Sequence, residues 1–477
     1  MTEKVKLTWN GKEIEAVKGS NLLQAALDNG QEVAHYCYHA GLSIAGVCRM
    51  CMVDQEGVPR SFPACNATCA EGMVVRNDTP RVKAAIEATL QFHLLNHPLD
   101  CPVCDQAGEC GLQEYYMKHG VYDSQMIDKK IHKDKVQDIG RNVMLDAERC
   151  ILCSRCTRFT SEVTGTYELG ILNRGDHAEI NVNEELKNDY AQNLVDICPV
   201  GALTSKDFRF KQRVWFLEDV HTTCIGCETG CSVKVAQNKN GSFRVKPVFD
   251  NDVNGHWMCD DGRNIYKHVS SPTRLASATE NLNGLFVPTD DARVIEALHG
   301  KKSKYILSTG LTNEEYARFF QSIKGKKVEV ALYSLPKTGA DFDGILKRGD
   351  KNPNLRGATK AFEEAGFDHS QAGLDKLLSS LSSNDALYVV VPEILYNEDH
   401  FTTLLSKIEK AGLRIALTPG ETLSAMKVFN FLLPVPCFLE KEGEITNYKG
   451  MSRKLSKGIS YGESTKELSF YAGWVNV

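Results

Sequence analysis

The alternation of apolar and polar positions is clearest near the start of the chain. Val5, Leu7 and Trp9 alternate with polar neighbours, Asn10-Gly11 supplies a turn, and Ile14 and Ala16 resume the alternation, which predicts a hairpin over residues 5–17. Ser20 or Asn21 is placed to cap a short helix carrying Leu22, Leu23, Ala26 and Leu27. A second helix opens at Thr79-Pro80. Ala85, Ile86, Ala88, Thr89, Leu90, Phe92 and Leu95 spread around much of its circumference, and Pro98 disfavours helix at His97. From about residue 300 the texture changes. Short apolar runs at 305–307, 328–332, 387–391 and 415–417 predict strands, and the periodicity at 312–323, 372–382 and 397–411 predicts helices between them. That succession is the signature of a parallel, doubly wound α/β sheet following an α+β N-terminal part. Residues 336–358, rich in Gly, Asp, Lys and Arg, are expected to form a long surface loop.

The 477 residues suggest three or four domains. Formal net charge is −5, and no run of Lys or Arg forms a phosphate-tracking stripe, so nucleic acid is not an expected partner. The longest apolar run, 386–391, ends at Pro392, far short of a membrane span, so membrane contact is expected only through partners. Cysteine is what changes the picture. There are 17, of which 16 precede residue 260 and the last is Cys437. An odd count with C-x2-C pairs argues against a disulfide scaffold, and Met1–Val5 begins no apolar stretch of signal-peptide type. Reduced thiolates in a cytosol-like compartment are the expectation.

Sixteen candidate ligands fall into four sets. Cys37, Cys48, Cys51 and Cys65 are spaced C-x10-C-x2-C-x13-C. A long loop that returns thiolates from several directions, after a hairpin and a helix, suits a 2Fe-2S cluster, with a four-cysteine zinc site as the alternative. Gly41 and Gly46 are expected to let backbone amides approach the sulfurs. The second set is His97, Cys101, Cys104 and Cys110: three thiolates need a fourth ligand, and His97 follows a helix end with three residues between it and Cys101. Three Cys with one His is also a zinc combination, and a lone His is often structural. The third set, Cys150, Cys153 and Cys156 with the distant Cys198-Pro199, is the C-x2-C-x2-C run of bacterial ferredoxins, with 41 residues before the fourth ligand. Cys224, Cys227, Cys231 and Cys259 form the fourth, for which zinc again remains open. Cys69 and Cys437 are left over, Cys69 being a rival to Cys65. Four sets in one chain fit electron transfer better than four zincs, because a relay needs many redox centres close together.

In this order, with Gly46-Val47-Cys48-Arg49-Met50-Cys51, the His97–Cys110 segment and Cys198-Pro199-Val200-Gly201-Ala202-Leu203, residues 1–270 resemble the large iron-sulfur subunit family of respiratory complex I, NADH:quinone oxidoreductase. The resemblance implies one 2Fe-2S cluster on the first set and three 4Fe-4S clusters on the others. The implied domains are a 2Fe-2S ferredoxin-like domain (1–78), a one-His, three-Cys 4Fe-4S module (79–120), a 4Fe-4S ferredoxin-like domain (121–215), a molybdopterin-oxidoreductase-type 4Fe-4S domain (216–272) and an α/β remnant of that enzyme class (273–477). Electrons would come one at a time from a flavin, NADH-oxidising partner subunit and leave through membrane-proximal iron-sulfur subunits toward quinone. The implied place is the peripheral arm on the cytoplasmic face of a bacterial inner membrane. The C-terminal part is similar, more weakly, to molybdopterin oxidoreductases through the fourth set and Glu440–Asn447. Two departures stand out: Asp261 occupies the position where those enzymes tend to have Lys, and no Cys lies between 260 and 436. The expectation is a scaffold without molybdopterin. The competing reading is the iron-sulfur subunit of a hydrogenase or formate dehydrogenase; a hydrogenase needs further cysteines for its catalytic cluster.

Overall fold

The computed structural model describes residues 3–123, 126–394, 398–421, 424–459 and 465–474. The chain divides into two compact units, Met1–Phe216 and Leu217–Val477.

In the first unit the predicted hairpin is present as Lys4–Trp9 and Lys12–Val17, with Leu7 opposite Ile14. Asn10 (φ 51) and Gly11 (φ 81) are both left-handed, as a two-residue hairpin turn demands. The strand Val74–Arg76 runs parallel to Lys4–Trp9, and Met52–Gln55 joins it antiparallel. The alternating side chains Val5, Leu7, Trp9, Ile14 and Ala16 meet Leu22, Leu23 and Ala26 of the helix Leu22–Asp28 in one buried core. Asn21 caps that helix by accepting from the Gln24 amide. Thr79 caps the next, Pro80–Leu94, through the Val82 amide. Its buried stripe is narrower than the sequence suggests: Val82, Ile86 and Leu90 are covered, whereas Phe92 and Leu95 are exposed. Beyond it, short helices (Gly111–His119, Arg155–Glu162, Asn193–Ile197) and a small sheet of Leu203–Ser205, Val143–Leu145 and Gln137–Asp138 are joined by long loops.

The second unit opens with an antiparallel sheet, Glu218–Thr223, Ser232–Asn238 and Gly241–Pro247. It then builds a seven-stranded sheet in which Glu329–Tyr333, Lys302–Ser308, Asp385–Val390, Leu413–Thr418 and Phe431–Pro434 are parallel neighbours. An antiparallel hairpin, Thr279–Leu282 and Leu285–Pro288, extends the edge. All six residues of Asp385–Val390 are buried, because apolar cores lie on both faces. Tyr305, Leu307, Tyr388 and Ile415 face one core, with Phe319 and Phe362 from the helices Asn313–Ser322 and Leu355–Ala365. Ile306, Leu387, Val389 and Ala416 face the other, with Leu377 and Leu404 from Gln371–Ser379 and Glu398–Lys407. Residue 397, the expected start of the last helix, lies outside the described residues.

The segment 336–358 departs from expectation in two ways. Its end is the start of the helix Leu355–Ala365. Leu346, Asp350, Lys351, Asn352 and Asn354 are buried rather than at the surface. Asn352 explains part of this, since its side chain accepts from the Leu335 amide and donates to the Leu335 carbonyl, both at 2.8 Å, and so ties the loop to the sheet end.

Candidate metal centres

Each cysteine set is brought together by its surroundings. Among the described residues no three His, Cys, Asp or Glu side chains close on one metal-ion position; the cysteines of each set are joined by contact, by mutual electrostatics or by shared walls, whereas His97 is joined to its set only through the charges around it.

In the first set Cys37 contacts Cys48 and Cys65, and Cys51 contacts Cys65. The thiols of Cys48 and Cys65 pull Cys37 well below an ordinary thiol, while the Cys37 contact and burial push Cys48 up. Backbone amides do reach the sulfurs, but Gly41 is not the source: its N–H donates to His39 Nδ1 at 3.1 Å. The left-handed turn at Gly46 (φ 66) instead presents the amides of Val47 and Cys48 to Cys37, and Tyr36 N–H points at Cys48 Sγ, 3.4 Å away. Cys69, also buried, has Ser20 as its side-chain partner rather than a member of the set.

The second set stands on the loop after Pro80–Leu94. Cys101, Cys104 and Cys110 feel one another, and burial pushes Cys110 up to about 11. His97 is half-buried, and its Nδ1 is sealed from solvent without a hydrogen-bond partner. Burial, assisted by Lys130 and Arg149, pulls its imidazole down to about 4, so the ring is neutral and has a lone pair to give. Arg149 links His97 to the thiols: it donates to Asp100 Oδ2 at 2.8 Å and lies beside Cys104. Cys101 alone of the 17 cysteines is exposed.

The third set is wound tightly. Leu152 (φ 55) and Ser154 (φ 60) sit between its cysteines in the left-handed region that non-glycine residues seldom occupy, a strain characteristic of functional turns. The kinks turn Cys150, Cys153 and Cys156 toward one another and toward Cys198, and burial pushes Cys150 and Cys198 up to about 12. Gly201, three residues beyond Cys198, is required by packing: a Cβ there would come within 2.2 Å of Cys104 Sγ. One apolar cluster, with Tyr36, Met50, Ile86, Leu112 and Val200 among its members, includes Cys37, Cys48 and Cys110 and packs against Cys150, Cys153 and Cys198. Three sets therefore share one wall.

The fourth set lines a small recess with Gly226, Gly230, Gly262 and Leu346. Gly226 N–H points at Cys224 Sγ and Gly262 N–H at Cys259 Sγ, each at 3.4 Å. Burial raises Cys224 and Cys231, and raises Cys259 to about 12. The buried loop closes over the recess, Thr229 Oγ1 donating to the Leu346 carbonyl at 3.0 Å. Asp261 pairs with Lys347 at 2.8 Å. Asn447, at the end of the Glu440–Asn447 stretch, donates to the Thr229 carbonyl at 3.2 Å. Cys437 is buried elsewhere, among Glu393, Glu440 and Arg274. Sequence reasoning missed Arg149, which was visible only as the residue before Cys150, and Leu346, and took Gly201 only as part of the Cys198–Leu203 motif without its role beside Cys104.

Known proteins align with these sets in the same order. Residues 2–80 match a 2Fe-2S iron-sulfur cluster binding domain, and 87–125 the NADH-ubiquinone oxidoreductase-G iron-sulfur binding region. Residues 140–204 match the NADH-quinone oxidoreductase subunit 3 ferredoxin-like domain, and 217–271 the molybdopterin oxidoreductase Fe4S4 domain. The NADH-quinone oxidoreductase G subunit of Rickettsia conorii is 40% identical over 369 residues, 75% of this chain. The chain is a homologue of those G subunits. The mitochondrial NADH dehydrogenase [ubiquinone] iron-sulfur protein 1 of Solanum tuberosum is 40% identical over 260 residues, 54% of the chain. The chain spans 54% of the length of the Rickettsia G subunit and the match covers 35% of the potato protein. A chain of a NAD+-reducing [NiFe]-hydrogenase in the H2-reduced state aligns with 44% of this chain and 91% of its own length, at 26% identity and a TM-score of 0.40. No helix among the described residues is long and apolar enough to cross a membrane.

Proposed function

We propose that the chain is an electron relay of an NADH:quinone oxidoreductase, holding a 2Fe-2S cluster on Cys37, Cys48, Cys51 and Cys65 and 4Fe-4S clusters on the other three sets. The observation that carries this is the apolar cluster shared by cysteines of three sets, which suits one-electron passage between neighbours. The residues fit the groups. Most of the thiols are buried, where a bare thiolate is penalised and a bound metal would neutralise its charge. The orphaned His97 nitrogen has no protein partner to satisfy it, and Gly201 keeps the wall beside Cys104 free of a side chain. A bound iron-sulfur cluster takes up and releases single electrons. The chain's own residues hold and insulate: thiolates anchor, amides of Val47, Cys48, Gly226 and Gly262 face the sulfurs, and apolar side chains exclude water.

In this reading the flavin, NADH-oxidising subunit and the membrane-proximal iron-sulfur subunits are the partners, on the cytoplasmic face of a bacterial inner membrane. Domain limits at 78, 120, 215 and 272 follow the four sets. The α/β region is a truncated molybdopterin-oxidoreductase remnant acting as scaffold, a reading supported by Asp261 and its Lys347 partner at the position where a Lys is expected.

Anaerobic purification with partners, metal analysis and low-temperature EPR test the proposal. About 14 irons per chain are expected, the sum of one two-iron and three four-iron clusters, without stoichiometric molybdenum. His97→Ala should remove or shift one EPR signal and leave the rest; an unchanged spectrum in the folded variant removes His97 from the ligands. Cys69→Ser and Cys437→Ser should leave the iron count unchanged.

A further inference from the structure

The helix Arg155–Glu162 carries Cys156 of the third set, yet its side chains are spent on the first. Arg155 Nη2 donates to the carbonyl of Tyr38, next to Cys37, at 2.5 Å, and its Nη1 donates to the carbonyl of Ile197, next to Cys198, at 3.0 Å. One guanidinium thus clamps a backbone residue adjoining a ligand of each set. One turn on, Arg158 donates to the carbonyls of Cys37 and Ser43, and Glu162 accepts from the Ser43 amide at 2.8 Å. These contacts fix the spacing of the two sets. Arg155 does more than the other two. Its charge faces Cys153, Cys198, Cys37 and Cys48, in falling order of influence. Its third donor, Nε–H, is sealed from solvent and has no partner. A buried N–H left unpaired is costly, and a guanidinium with two nitrogens pinned cannot turn the third away.

We infer that Arg155 is a positioning residue for electron passage between the first and third sets, its fixed positive charge holding up the reduction potentials of both clusters and its Nε–H donating to sulfur of the cluster on Cys150, Cys153, Cys156 and Cys198. The inference rests on the cluster assignment proposed above. The physical reason is that reduction adds negative charge to a cluster, and a cation held close in a poorly screened interior stabilises that charge. Hydrogen bonds to the sulfurs act in the same direction. The third set, which faces the charge more strongly and is given the donor, should respond more.

The test uses the full chain with its clusters, bound to its partners, and reads the midpoint potentials of the two EPR signals in a redox titration. Arg155→Gln removes the charge and should lower both midpoints, that of the third set by a tenfold or greater shift in its reduction equilibrium, about 59 mV for a one-electron couple. Arg155→Lys keeps the charge and loses the Nε–H, so the first-set midpoint should stay near native while the third-set midpoint falls by less than in Gln. If only the Lys variant loads iron, its third-set midpoint decides alone. Unmoved midpoints in a loaded variant overturn the inference, as does failure of both variants to hold these two clusters while the remaining signals persist, since Arg155 is then a structural clamp only. Absence of either signal from the unsubstituted chain would instead strike the cluster assignment itself.

Discussion

Residues 96–110 and the strand Lys302–Ser308 solve the same problem with different means. The strand satisfies its backbone by pairing on both sides, and six of its seven residues are buried between two apolar cores. The loop has no ladder. It is held by isolated contacts, such as the Ile131 amide on Asn96 Oδ1 at 3.0 Å, Arg149 on Asp100 and Arg213 on the Cys104 carbonyl at 2.6 Å, around three thiols and an imidazole whose Nδ1 is unpaired. The difference teaches where folding free energy resides. In the α/β sheet it is in the chain's own packing. If the cysteine sets hold the proposed clusters, a large share in the cysteine-rich region is left to what the thiolates bind, because metal-binding free energy is folding free energy when the site is not otherwise formed.

The largest consequence should follow from removing iron by oxidation and chelation. Amide exchange protection is expected to collapse across 96–110 and 147–160, while Lys302–Ser308, Asp385–Val390 and Leu413–Thr418 keep theirs. The hairpin Lys4–Trp9 and Lys12–Val17, which has an apolar core of its own, should lie between. Equal loss in both regions would erase the contrast.

Next comes a pair of cysteine variants. Cys153→Ala breaks the set that shares a wall with two others and should abolish NADH:quinone activity, normalised to assembled complex. Cys231→Ala touches a recess outside that wall and should retain much activity while reducing stability or assembly. A fully assembled Cys231 variant that turns over as poorly as the Cys153 variant would put the fourth set on the main path.

Within the sheet the effects should be those of ordinary packing. Phe319 is fully buried beside Tyr305, so Phe319→Ala should cost about 3–5 kcal/mol in denaturant unfolding without changing the iron count. Smaller still is Thr312→Ala, which removes the hydroxyl that accepts from the Glu315 amide and leaves the Glu315 carboxylate on the backbone amide of residue 312; about 1 kcal/mol is expected. Iron loss in either variant would mean that the sheet's stability and cluster retention are coupled.

The same contrast explains what could be read from the residues. Hairpin, caps and four parallel strands were legible because local periodicity and buried position agree there. Phe431–Pro434 was not, being a four-residue apolar run with no alternation. The edge hairpin was announced by Asn283-Gly284, both left-handed, but its polar strand Thr279–Leu282 has too little pattern to stand out. Leu355–Ala365 was hidden by the composition of the loop before it, although Leu355, Ala358, Ala361 and Phe362 keep helical spacing. For the sites, ligand identity is written in spacing, whereas what surrounds a ligand is not: Arg155 meets Tyr38 across 117 residues. Gly201 likewise matters only because Cys104 is its neighbour in space.

The roof of the fourth recess has a consequence in time. Cys224, Cys227, Cys231 and Cys259 leave the ribosome well before Leu346, whose carbonyl bonds Thr229, and before Asn447 and Arg453, which bond the carbonyls of Thr229 and Gly230. During synthesis the recess is a set of ligands without a lid for nearly ninety residues of growth. On the cluster assignment proposed above, metal delivered in that interval meets four cysteines without their cover, whereas metal delivered later meets the recess with the Leu346 loop already held by Asn352. On that assignment, the order in which the chain is made is also an order of filling and sealing.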